Sequence, residues 1–102
     1  MNNTATITHW KEFQEKKDEF LTYLSVEKNL SENTRRAYNL DIGQFVDFWR
    51  QMPAYEVKNL TCRQVLERFL ISLFYKKIDK SSIARKFSCF KSFEKFLRTQ
   101  GI

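Results

Sequence analysis

Histidine and proline occur once each (His9, Pro53), and glycine and cysteine twice each (Gly43 and Gly101, Cys62 and Cys89), among 102 residues. Each scarcity removes a class of chemistry. Two glycines cannot build a glycine-rich phosphate loop. A zinc site of Cys and His takes four such ligands, or three with water, and the three present lie far apart along the chain. Two cysteines at helical positions, with no export signal ahead of them, read as reduced, buried thiols rather than a disulfide. Met1 to Ile7 shows no cationic segment followed by an apolar run, so the expected compartment is the cytoplasm. The longest apolar stretch, Phe69 to Tyr75, is broken by Ser72 and is too short to span a bilayer. The composition, 42% hydrophobic and 29% charged, is that of one globular domain. The chain therefore reads as a binder, with no metal, no cofactor, no small-molecule ligand and no membrane expected.

What is abundant is positive charge, and its position says more than its total. Eighteen Lys and Arg against twelve Asp and Glu give +6, with an isoelectric point near 9.5. Residues 1–75 carry ten groups of each sign. The surplus lies in Lys76, Lys77, Lys80, Arg85, Lys86, Lys91, Lys95 and Arg98, opposed only by Asp79 and Glu94. A field so localised favours a polyanionic partner. On charge alone, a lysine-rich solvated face is an equal reading.

Apolar spacing is helical throughout, and the expected fold is all-α, four helices sharing one core. The first helix is expected over His9 to Lys28 with Thr8 as its cap, burying Trp10, Phe13, Phe20, Leu21 and Leu24 on a stripe broken by Lys17. The second starts after Ser31 and ends near Gln51, where Pro53 forces a stop. Tyr38, Ile42, Phe45, Trp49 and Met52 form its stripe, while Arg36, Leu40, Gly43 and Asp47 lie opposite. Leu40 is out of place on a face that meets only water, and Gly43 costs about 1 kcal/mol against Ala unless something approaches closely. The third helix opens at Thr61 with Gln64 three residues on, a capping box. Its wide arc of Cys62, Val65, Leu66, Phe69, Leu70 and Leu73 marks it as the most buried element.

The fourth helix is expected from Ser81 or Ser82 to about Gln100, with Gly101 as a left-handed cap. Ile83, Phe87, Phe90 and Leu97 form the expected core stripe, which Glu94 interrupts without reason. Ser81, Arg85, Ser88, Ser92 and Lys95 lie opposite, a low face of hydroxyls and cations. A solvated face more often carries Glu–Lys pairs four residues apart, so this one is shaped to lie against something anionic. The ten phenylalanines sit mostly at core spacing and read as core filler rather than a base-stacking platform.

Two segments make the pattern specific. The first is Phe20-Leu21-x-Tyr23-Leu24, then Leu30-Ser31-x-Asn33-Thr34-x-x-Ala37-Tyr38-x-x-Asp41-Ile42-x-x-Phe45. The second is Ser82-Ile83-x-Arg85-x-Phe87-Ser88-x-Phe90-Lys91-Ser92-Phe93-x-x-Phe96-Leu97, followed by Gly101-Ile102. Together they resemble the amino-terminal core-binding (SAM-like) domain of tyrosine recombinases of the phage integrase family, nearest to the bacterial Xer type. The resemblance runs from about residue 13 to 102.

It implies a single orthogonal bundle of four to five helices that forms half of a C-shaped clamp on a DNA half-site, with the second and fourth helices against the major groove. By position it implies contacts from Thr34, Arg36, Ala37 and Leu40, and from Ser81, Ser82, Arg85 and Ser88. Arg85 would reach guanine O6 and N7, and Leu40 or Ala37 a thymine methyl. Thr34, Arg36, Ser81 and Ser82 would hold phosphates. Lys80, Lys86, Lys91 and Lys95 would add salt-dependent attraction, with Ser92 on the same low face. The family's nucleophilic tyrosine and its arginine and histidine partners belong to a second domain, and none of those motifs occurs here. Residues 1–102 are thus expected to be one DNA-binding domain of a larger enzyme that works in a homo- or heterotetramer on double-stranded DNA. Chromosome dimer resolution at cell division is the leading role, and a phage or mobile-element integrase the near alternative. A helix-turn-helix regulator and a protein-interaction bundle using Phe93 or Phe96 are the rivals of other classes.

Overall fold

Helix starts follow from side chains that accept the first unpaired amides. The structure, a computed structural model, describes residues 9–101. Helix α1 (Trp10–Glu27) begins at His9, whose Nδ1 accepts from the Lys11 amide at 3.1 Å; Thr8, the expected cap, lies outside the described residues. Helix α2 (Glu32–Gln51) is capped by Ser31 as expected, and α4 (Cys62–Tyr75) by the Thr61–Gln64 capping box. The 53–60 connection holds one helical turn, α3 (Ala54–Val57), entered from Pro53. Helix α5 (Lys80–Thr99) starts at Asp79 rather than at a serine, the carboxylate accepting from the Ser82 amide.

Among the described residues, two helix ends use left-handed residues that are not glycine. Asn29, at φ 50°, closes α1. Lys77, at φ 60°, closes α4, with its amide donating to Phe74 O and the Ile78 amide donating to Leu73 O. Those two bonds make a Schellman motif, which sends the chain straight into α5. Gly101, at φ 73°, is the left-handed residue expected after α5.

The core is mainly phenylalanine. Phe13 of α1 stacks on Phe93 of α5, ring centroids 4.4 Å apart, and meets Phe45 of α2 edge-on at 5.0 Å. Phe45 meets Phe90 edge-on at 5.2 Å, and Phe69 of α4 closes the cluster. The stripes of α1 and α2 fall as expected, except that Trp10 is half-buried under the Arg50 guanidinium and Tyr38 and Met52 are also half-buried. Helix α5, with six buried residues against four in α4, contributes the most to the core, and α1, α2 and α4 all pack on it. Its buried set is Lys86, Cys89, Phe90, Phe93, Phe96 and Leu97. Phe87, expected in the core, is 54% exposed, and Phe93 and Phe96, which the protein-interaction rival requires at the surface, are buried. A Cβ at Gly43 would meet nothing within 4 Å, so no contact within the chain requires that glycine.

Both thiols are free and buried, as expected. Burial pushes Cys62 from 9.0 up to about 12, and pushes Cys89 up as well, with Asp41 adding to the effect. Phe93→Ala should cost about 3–5 kcal/mol of stability, read from urea unfolding by circular dichroism, because it removes a ring that packs on Phe13 and Phe20 of α1. Stability should also fall as pH rises above 9, since the unfolded thiols ionise there while the folded ones stay protonated. Unfolding midpoints at pH 8 and pH 10 check the direction, and thiol labelling at pH 8 should proceed no faster than the protein opens.

Candidate nucleic-acid interface

One buried carboxylate joins the two helices whose outer faces are unusual. Asp41 of α2 is wholly buried. Arg85 Nε donates to its Oδ2 at 3.1 Å and Arg85 Nη2 to its Oδ1 at 2.7 Å. Lys86 Nζ donates to the same Oδ1 at 2.8 Å. Taking a carboxylate out of water costs several kcal/mol, and two charge-assisted partners with good geometry offset that cost. The hydrogen bonds to Asp41 hold the Arg85 guanidinium above its ordinary pKa. Nearby, Cys89 Sγ lies 3.9 Å from Tyr38 O, so the α2–α5 seam continues past the ion cluster.

The two partners of Asp41 differ in exposure. The Lys86 side chain is 5% exposed and the Arg85 side chain 38%. Lys86, expected among the surface cations, is therefore an internal counter-ion, because its position on α5 points back at Asp41. Arg85 reaches the surface at the wall of an open groove of about 560 Å³ that Leu40, Gln44, Lys76 and Ser82 also line. Leu40 is 57% exposed there. Arg36 lies one turn before Leu40 on α2, exposed, with Nε 3.5 Å from Glu32 Oε1. The structure thus brings Leu40, Ser82 and Arg85 to one groove, with Arg36 on the adjoining turn.

The remaining expected residues divide by location. Thr34 is half-buried and tied into its helix cap, accepting from Ser31 Oγ at 2.9 Å. Ala37 is half-buried one turn before Asp41. Ser81 is exposed and donates to Asp79, whose carboxyl is held below its usual range by hydrogen bonds from Ser82 and Ser81. Lys80 and Ser88 are exposed, and Ser92 is half-buried. Lys91 and Lys95 lie on the other flank of α5, along a second groove of about 400 Å³ shared with Leu66 and Leu70 of α4. There Lys91 Nζ sits 5.9 Å from the Phe87 ring centre. Glu94 also flanks that groove, bonded by Arg98 Nη2 at 2.9 Å with Arg63 at 3.8 Å, which accounts for an acid next to the core.

Asp41 is the residue to which sequence reasoning assigns no role. Its signal is an acid immediately before the core residue Ile42 within the Tyr38-x-x-Asp41-Ile42 element, but its partners stand 44 and 45 residues away. Among the described residues, no three His, Cys, Asp or Glu side chains gather as a metal site. None of the described helices is long and apolar enough to cross a membrane.

Among the described residues, five helices around one aromatic core, with two of them locked side by side, define an all-α domain. The profile of the phage integrase N-terminal SAM-like domain matches residues 18–101. The chain belongs to that family, as a core-binding domain of the tyrosine recombinase type. Its curated relatives include the tyrosine recombinase XerC of Oceanobacillus iheyensis, 37% identical over 82% of this chain. Those of Anoxybacillus flavithermus and Herpetosiphon aurantiacus are 39% and 38% identical over 81% and 85% of it. The chain spans 27–28% of the length of these three relatives. No solved structure matches it with significance.

Asp41→Ala should cost about 3–5 kcal/mol of stability, because it leaves Lys86 buried without a counter-charge. Asp41→Leu combined with Lys86→Met should recover most of that loss. Urea unfolding of the three proteins checks both expectations.

Proposed function

We propose that this domain grips one half-site of duplex DNA through the outer faces of α2 and α5, as the core-binding part of a site-specific tyrosine recombinase. The observation that carries the reading is the shared groove of Leu40, Ser82 and Arg85, held together from beneath by Asp41. A major groove admits a helix, and Arg85 presents donors suited to guanine O6 and N7. Leu40 supplies an apolar contact suited to a thymine methyl. Ala37 offers a second methyl contact of that kind, Arg36, Thr34, Ser81 and Ser82 set the register on phosphate, and Ser88 adds a hydroxyl on the same helix. Lys80, Lys91, Lys95 and Ser92 extend the basic surface, Lys91 and Lys95 from the second flank.

The parent recombinase would cut and rejoin strands through a 3′-phosphotyrosyl intermediate in a tetramer on DNA, with its nucleophile in a domain outside residues 1–102. Similarity to proteins named tyrosine recombinase XerC favours a Xer-type role in chromosome dimer resolution at cell division, in the cytoplasm, over a mobile-element integrase. The protein-interaction rival based on Phe93 and Phe96 loses its support, because both rings are buried.

Duplex affinity should fall steeply and log-linearly with salt; a bundle that serves only protein contacts has no such affinity to lose. Arg85→Ala should weaken cognate half-site binding by about 1–3 kcal/mol and relax one base-pair preference. Lys95→Ala should weaken all duplexes alike and lower the salt slope by about one. Fluorescence anisotropy against cognate and scrambled duplexes distinguishes these outcomes, and equal sequence-blind losses from both variants would remove the reading role from Arg85.

A further inference from the structure

We infer that Asp41 is a specificity-positioning residue, which fixes the Arg85 guanidinium so that its outer edge alone faces a ligand, with Lys86 as the counter-ion that keeps the site cationic. This rests on the DNA-binding reading above and deepens it.

The donor count of the guanidinium carries the first half. Arginine has five N–H donors in a planar fork. Asp41 engages Nε and Nη2, the side edge. Of the three donors left, one on each terminal nitrogen lies on the end edge, parallel and coplanar, and the last, on Nη1, points back along the side chain. That pair matches two adjacent acceptors in one plane, as guanine N7 and O6 present them in the major groove. A free arginine would have to give up rotamer freedom to adopt this pose, whereas here the folded protein has already fixed it. The carboxylate is itself immobile, because it is wholly buried on α2 and held by a second cation.

Charge balance carries the second half. Asp41 with Arg85 alone would be neutral, and an anionic partner would meet a cancelled cation. Lys86 Nζ, 2.8 Å from Asp41 Oδ1 and shut away from solvent, supplies the missing positive charge from inside. The trio is then +1 overall; both cations line the groove, but the Arg85 side chain is 38% exposed there and the Lys86 side chain only 5%. Lys86, with so little of its side chain exposed, therefore acts on a ligand through its charge.

The test is selection of duplexes from a randomised library by the 102-residue protein and its variants, with folding followed by circular dichroism. The wild type should enrich a motif with one G·C position that Arg85→Ala flattens by about 10- to 100-fold. Asp41→Asn with Lys86→Met, which avoids a stranded buried ammonium, should flatten that same position and leave the other positions enriched. Adding Arg85→Ala to it should flatten nothing further. Lys86→Met alone keeps the Asp41–Arg85 pair, so it should preserve the G·C position while weakening every duplex by a similar factor. Retention of the G·C preference in the Asp41 double variant, or its loss in Lys86→Met, overturns the positioning role alone. A folded wild type that enriches no duplex overturns the DNA reading, and this inference with it.

Discussion

Burial of the Asp41 carboxylate between α2 and α5 is the constraint on which the interface depends. An unpaired charge there would be prohibitive, so the helices must approach in a way that delivers both Arg85 and Lys86 to it. A purely apolar seam would permit small slides and rotations of one helix on the other. Three hydrogen bonds to one carboxylate do not. The relative placement of Leu40, Ser82 and Arg85 is thereby fixed by the same atoms that hold the fold.

The phenylalanine cluster has a different task. Flat rings meeting edge-on and stacked bring α1, α2, α4 and α5 to one centre, and their contacts tolerate a spread of angles. The aromatic core thus supplies much of the cohesion, while the ion cluster supplies the register. Short-range signals finish the ends: a serine, a threonine with its glutamine, and an aspartate start three of the helices. The Schellman turn at Lys77 then leads from α4 through Asp79 into α5, at the edge of the groove where Lys76 and Ile78 lie.

Much of this is legible in the sequence, for reasons that separate by range. Ser31, the Thr61–Gln64 box, the stop before Pro53 and the left-handed Gly101 act within a few residues, so their identities declare them. The α5 core is harder to read, because periodicity locates a stripe but not its width. Three neighbours bury a broad arc, placing Phe93 and Phe96 inside and leaving Phe87 out. Glu94 carries the warning: an acid seven residues after Phe87 and three before Leu97 marks the edge of a stripe, not its centre. Lys77 is invisible as a turn residue because lysine occupies a conformation usually given to glycine. Asp41 and Lys86 are illegible as a pair, since no local rule connects residues 45 positions apart.

Within the ion cluster the Asp41–Lys86 contact is shielded from the medium, whereas the flanking lysines are bathed in it. Mobile electrolyte attenuates fields in water over roughly 8–10 Å at physiological strength and hardly reaches a buried contact. Concentrated brine should therefore strip this domain from a polyelectrolyte resin in its native form, leaving the Asp41 knot tied.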